Sequence, residues 1–241
     1  YVSSNAAYLS QSPDGWSCVI ATDLDGSVAS TSNLVAAHGR DAVVDASELL
    51  ARAAAFPASQ RIMGSRLQGR VSVGPGLTVD APSLPPMEMA DLAEQTVRQA
   101  FELYAGEVVG VGTSVDWGAS LYTFDPRRPD RPRQEDIEII GGPRRLMHGP
   151  ELSLMPGVWE IKVRFLLDDD ASRHHYLLQW GTEGDYAEME ISPEKGGYYE
   201  ATLRRSWMKV ERANFNFWLS DGAIVGRFEF QSSTVCKIDE P

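Results

Sequence analysis

The chain has 241 residues, 43% of them apolar, and a formal net charge of −12, which is enough apolar material to bury one large core or two modest ones. So acidic a balance disfavours nucleic acid, whose phosphates are gripped mainly by Lys and Arg. No stretch approaches the roughly eighteen apolar residues that a membrane-spanning helix needs, and no basic start with an apolar centre marks a signal peptide. The first residue is Tyr, so the sequence reads as a processed form or a part cut from something longer, whose targeting signal could lie elsewhere.

In chain order the first distinctive stretch is "WSCVIATDLDGS", residues 16–27, an apolar run that ends in Asp-Leu-Asp-Gly-Ser. It resembles the first motif of the haloacid-dehalogenase-like phosphatases, and that resemblance implies Asp23 as nucleophile and Asp25 as general acid beside a bound Mg²⁺. The family's fold is a doubly wound parallel sheet with a Lys well ahead of a second acidic pair. Here the lysines are Lys162, Lys195, Lys209 and Lys237, and the one acidic cluster, Asp168–Asp170, follows Lys162 on the same predicted strand. The stretch is therefore expected to be a strand closed by an Asx-type turn, with a Mg-dependent phosphatase kept as the most distant alternative. Cys18 in this stretch and Cys236 near the other end are the only cysteines, and the sequence leaves open whether they meet.

Two helices are predicted in the first half. "VDASELLARAAAF" offers Asp45 as N-cap with Glu48 three residues on and Pro57 as a stop, giving a helix near 45–56. "PPMEMADLAEQTVRQAFELYAG" places prolines at its start, Gly106 at its end and Met89, Ala93, Val97, Ala100 and Tyr104 along one stripe, giving a helix near 86–105. That stripe suits either a core face or a seam between copies, so a homo-oligomer is possible. Between them, "GRVSVGPGLTVDAPSLPP" suggests a short strand pair or an extended arm.

Residues 1–125 are thus expected to form a smaller, mixed α+β region used for attachment or oligomerisation. Residues 126–136, with Pro126, Pro129 and Pro132 among arginines, read as an extended linker. From 137 to 241 the period changes to two. In "VWEIKVRFLLDDD" Trp159, Ile161, Val163, Phe165 and Leu167 share one face, and Glu160, Lys162 and Arg164 the other. About seven such segments with Gly, Pro, Asp and Ser between them predict an antiparallel β-sandwich, jelly-roll-like, so the chain as a whole is mostly β.

The last hundred residues also carry the binding candidates. In "ANFNFWLSD" Phe215, Phe217 and Leu219 alternate with Asn214, Asn216 and Trp218, so one face is apolar and the other bears two amides and an indole. Sugar rings present apolar C–H faces rimmed by hydroxyls, which an aromatic platform flanked by amides and charged groups can match. Arg164 and Gln179 join this face if their strands share its sheet, and Tyr186, Tyr198 and Tyr199 in neighbouring turns are expected to add stacking surface. Trp159, Trp180 and Trp207 are expected in the core. No Cys or His cluster has metal spacing, His174 and His175 point to opposite faces if they lie on a strand, and Asp168–Asp170 reads as a solvated loop or as part of a calcium site. A glycosidase needs two carboxylates facing one cleft; Asp185, Glu188 and Glu190 have only the spacing of a solvent-facing strand, so no catalysis and no cofactor are expected.

The stretch "RRLMHGPELSLMPGVWEIKVRFLLDDDASRHHYLLQWG", and with it residues 140–238, resembles the carbohydrate-binding-module-like β-sandwiches of bacterial surface-polysaccharide proteins. The resemblance implies non-catalytic binding of a bacterial cell-surface polysaccharide, outside the cell or on a virion-like particle. In such a setting the N-terminal half would attach the sandwich to a larger assembly, such as a spike or fibre of a phage-like particle. The alternative is a structural module that contacts protein and no sugar.

Overall fold

Alternating faces of apolar and polar residues assemble into two five-stranded sheets. The computed structural model describes residues 19–21, 40–55, 61–63, 70–74, 77–80, 91–105, 109–125 and 136–241. The chain divides into two units: Tyr1–Gly110 with Ser153–Pro156 and Lys209–Glu211, and Val111–Leu152 with Gly157–Met208 and Arg212–Pro241.

In the first unit, β1 (Val19–Ala21) pairs in parallel with β2 (Arg61–Met63), and α1 (Asp41–Ala54) lies between them in sequence. β3 (Arg70–Gly74) and β4 (Leu77–Asp80) form an antiparallel pair. α1 starts a turn before the expected Asp45: the Arg40 carbonyl accepts from the Val43 and Val44 amides, and Asp41 adds negative charge at the positive end of the helix. Glu48 reaches forward to Arg52, whose Nη2 lies 2.7 Å from its Oε1, an i,i+4 pair on the helix surface. α2 (Asp91–Phe101) ends in a 3-10 turn over Glu102–Tyr104; residues 86–90 of the expected helix lie outside the described residues. Val97, Ala100, Phe101 and Leu103 are buried, and the Tyr104 hydroxyl donates to the Ser153 carbonyl while the Ser153 amide donates to Ser47 Oγ at 3.0 Å.

The second unit is an antiparallel β-sandwich. Its strands are β5 (Ser114–Trp117), β6 (Thr123–Phe124), β7 (Asp136–Glu138), β8 (Arg144–Leu154), β9 (Gly157–Leu167), β10 (Tyr176–Thr182), β11 (Asp185–Ile191), β12 (Gly197–Trp207), β13 (Glu211–Leu219) and β14 (Arg227–Asp239). One sheet has the order β11-β10-β13-β8-β6; the other runs β12-β9-β14-β5, with β7 also paired to β14. The chain is therefore mostly β, as its period-two alternation indicates. β5 and β6 were not foreseen as strands; they lie upstream of residues 126–135, which fall outside the described residues, yet they pair into both sheets.

The expected inner face of β9 is buried in full, with Trp159, Ile161, Val163, Phe165 and Leu167 all at 1% exposure or less. Aromatic contacts join the sheets. Phe165 of β9 meets Phe217 of β13 edge-on at 4.9 Å, and Trp180 of β10 stands edge-on to Trp117 of β5 at 6.0 Å and to Trp207 of β12 at 5.4 Å. Among the described residues the indole N–H groups of Trp117, Trp180 and Trp207 find no hydrogen-bond acceptor.

The sandwich is antiparallel, unlike the doubly wound parallel sheet on which a phosphatase reading of Asp23 and Asp25 depends, while in the first unit β1 and β2 pair in parallel over three residues each. Both aspartates, and Cys18, lie outside the described residues. Among the described residues no helix is long and apolar enough to cross a membrane.

Candidate functional site

The outer face of the β11-β10-β13-β8 sheet gathers most of the expected binding residues. Antiparallel register places paired residues on the same face. Three rows result across β11, β10 and β13: Tyr186, Gly181 and Asn214; Glu188, Gln179 and Asn216; and Glu190, Leu177 and Trp218. Strand alternation alone put Asn214, Asn216 and Trp218 together; the pairing of β10 with β13 adds Gln179, and that of β10 with β11 adds Tyr186, which lies on a strand and not in a turn.

A hydrogen-bonded chain runs along these rows. Gln179 Nε2 donates to Glu188 Oε1 at 2.7 Å, and Gln179 Oε1 accepts from Trp218 Nε1 at 2.9 Å and from Asn216 Nδ2 at 3.4 Å. Arg145 on β8 continues the chain by donating to Asn216 Oδ1 at 3.3 Å, and its guanidinium lies 5.6 Å from the centre of the Trp218 ring, within cation–π range. Trp218 is half-buried, whereas Trp117, Trp159, Trp180 and Trp207 are buried. Asn216 is sunk beneath its neighbours at 2% exposure. Asn214 has a tethering task, accepting from the Gly149 amide at 2.9 Å, beside the cis Gly149–Pro150 bond.

Gly181 lets β11 approach: a Cβ there would lie 2.2 Å from the Asp185 carbonyl oxygen and 2.8 Å from Tyr186 Cα. Sequence reasoning missed Arg145, because Leu146 and Met147 next to it are both buried and break the clean alternation of β8.

Arg164 is not part of this face. It projects from β9, in the other sheet, where its Nε donates to Glu200 Oε2 at 2.7 Å. Alternation shows which face of its own strand a residue occupies, but not which sheet that strand joins. Arg164 lines an open depression of about 430 Å³ together with Tyr198, Tyr199, Glu200, Gln231 and Ser232.

The carboxylate candidates are dispersed. Asp168 Oδ1 accepts from the Ala171 amide, Asp169 Oδ1 from the Gly196 amide, and Asp170 pairs with Arg173 at 3.6 Å. The triplet thus serves two backbone amides and one guanidinium, each in a different place. Among the described residues no group of three or more His, Cys, Asp or Glu is arranged to hold a metal ion. His174 and His175 precede β10 rather than lying on it, and both reach Asp221, their Nδ1 atoms 3.2 and 3.1 Å from its two oxygens. Burial pushes the Asp221 carboxyl up, but hydrogen bonds from His175 and the charge and hydrogen bond of His174 outweigh it and hold the pKa below the ordinary value.

No family model matches the chain, and no curated protein matches it. Solved structures with a similar strand arrangement include TmCBM61 in complex with β-1,4-galactotriose, at 10% identity and a TM-score of 0.34 over 42% of this chain and 68% of that one. A family 16 carbohydrate-binding module aligns at 11% identity and a TM-score of 0.30, over 42% of this chain and 74% of that one. PRD1 vertex protein P5 aligns at 15% identity and a TM-score of 0.31, over 54% of this chain and the whole of that one. Likenesses this distant transfer no site residue, so what the chain binds has to be argued from its own side chains.

Proposed function

We propose that the sandwich binds a bacterial cell-surface polysaccharide without catalysis, outside the cell, through the outer face of the β11-β10-β13-β8 sheet. The observation that carries this reading is Trp218: a half-buried indole set in a hydrogen-bonded row of Gln179, Asn216, Glu188 and Arg145. The row ties the side chains to one another before any ligand arrives, which lowers the ordering cost of binding. The Trp218 and Tyr186 rings offer apolar surface to a sugar's C–H face, and the amides and carboxylates offer partners to its hydroxyls. In this reading the N-terminal unit attaches the sandwich to a larger assembly, such as a spike or fibre of a phage-like particle.

The test is an array of bacterial capsular and exopolysaccharides probed with the full chain and with Trp218→Ala. Binding by the full chain, weakened about tenfold or more in Trp218→Ala, is expected. Silence across the array would sink the proposal.

A second reading, a protein-contacting structural module, is favoured by one patch. Ile224 and Val225 in the β13–β14 turn are 90% and 48% exposed, and Ile140, also 48% exposed, adjoins them through the Gly141–Ala223 bridge. Self-association in sedimentation velocity that Ile224→Asp abolishes, with a silent array, would favour it.

A further inference from the structure

We propose a second saccharide site on the opposite sheet, in the depression lined by Arg164, Tyr198, Tyr199, Glu200, Gln231 and Ser232, which takes one neutral pyranose ring. It goes beyond the Trp218 face and does not depend on it.

The depression is built by a specific irregularity. Between Phe230 and Ser232 the register of β14 against β9 shifts by one residue, and such a bulge re-aims the side chain it inserts. Ser232 stands opposite Arg164, and the inserted Gln231 is exposed beside it, so an amide and a hydroxyl reach the same hollow. Glu200 faces Arg164 from β12. At about 430 Å³ the hollow falls at the small end of the range for ligand sites, ~300–1,000 Å³.

Its walls match a sugar ring in kind. Tyr198 is 78% exposed and offers an aromatic face to a sugar's C–H surface. Tyr199 alternates to the other face, where its ring stacks on Phe165 at 5.7 Å and its hydroxyl donates to the Lys195 carbonyl, so the aromatic ring that shares the face of Arg164 and Glu200 is that of Tyr198. Arg164 spends only Nε on Glu200 Oε2, so its terminal nitrogens and Glu200 Oε1 remain to donate to and accept from neighbouring hydroxyls. The guanidinium and carboxylate cancel, so the lining carries no net charge. A carboxylated sugar could pair with Arg164 but would meet two carboxylates, Glu200 and the Glu229 held against Gln231 at 2.7 Å, so one cation faces two anions and a neutral ring is the better occupant.

The experiment titrates the full chain, ¹⁵N-labelled, with the methyl α- and β-pyranosides of glucose, galactose and mannose and with methyl glucuronide. For at least one neutral pyranoside, saturable shifts are expected in the amides of Tyr198, Glu200, Gln231 and Ser232. These shifts should persist in Trp218→Ala, and weaken about tenfold in Tyr198→Ala and measurably in Gln231→Ala. Tyr198 and Gln231 are both exposed, so thermal unfolding is expected to show both variants folded. The second site is overturned if no neutral pyranoside shifts these amides, if methyl glucuronide binds more tightly than every neutral ring, or if neither variant weakens the shifts. Shifts confined to Gln179 and Trp218 would also overturn it and leave the first face standing; shifts confined to the depression would support it, with the Trp218 face judged by the polysaccharide array.

Discussion

Glu160 sits on the outer side of β9 with 6% of its surface exposed, between Arg204 Nε at 2.7 Å and Lys162 Nζ at 3.4 Å. Burial alone would raise its pKa, but the hydrogen bonds from Arg204 and Lys162, with their charges, win and hold it below the ordinary glutamate value. A carboxyl whose folded pKa lies below its unfolded value stabilises the fold above the unfolded value, and that contribution fades as pH falls through the folded one. Glu160→Gln is accordingly expected to cost roughly 1 kcal/mol at pH 7, since its partners are solvent-exposed and screened. Urea unfolding at pH 7, 5 and 3 checks this: the gap from the unaltered protein should close below about pH 4.5. Single residues also show what the sequence makes legible. Alternation placed Trp218 and Asn216 on a polar face, because period two is a property of the strand itself. It could not separate Arg164 from that face or add Arg145 to it, because both depend on which strands become neighbours.

The same division holds for elements. β9 and β13 are readable since each carries a long alternating run with large side chains. β5, with four residues, and β6, with two, lie among glycines and turns, too short for a period to emerge. Their role appears only in the core, where Trp117 of β5 completes the cluster around Trp180. Trp180→Ala is expected to destabilise the sandwich by about 3–5 kcal/mol. Trp180→Phe should cost clearly less, because it keeps a ring and removes an indole N–H that has no acceptor among the described residues; chemical denaturation of the two variants checks the order. The β10–β11 hairpin makes a separate prediction. Gly181→Ala sets a methyl 2.2 Å from the Asp185 carbonyl oxygen, so β11 must shift, at roughly 1–3 kcal/mol. Amide shifts along Asp185–Ile191 in an NMR spectrum of the variant would register the movement; an unchanged spectrum would contradict it.

At the scale of the molecule the sandwich needs residues well upstream of 137. Tyr122, Phe124 and Trp117 are buried in it, and the Tyr122 hydroxyl and Ser233 Oγ lie 2.7 Å apart. A fragment of residues 109–241 is therefore expected to unfold cooperatively, and one of residues 137–241 to lose cooperative unfolding in denaturant, since it leaves β14 without the β5 partner along Ser233–Cys236. Glycan arrays made with the shorter fragment would then test an unfolded chain. β14 also has a consequence in time. It is the final strand of the sandwich, yet it lies between β9 and β5 and borders β7 as well, and it joins Thr234 to Asp116 across 118 positions. As the ribosome releases the chain, β9 and β5 emerge with an empty slot between them, and every contact that fills it is distant in sequence. Such closure is slow, and strand edges stay open while it is awaited. Synthesis therefore passes through a stage, lasting until β14 is free of the ribosome, in which the nascent sandwich is at its most prone to pair with other chains.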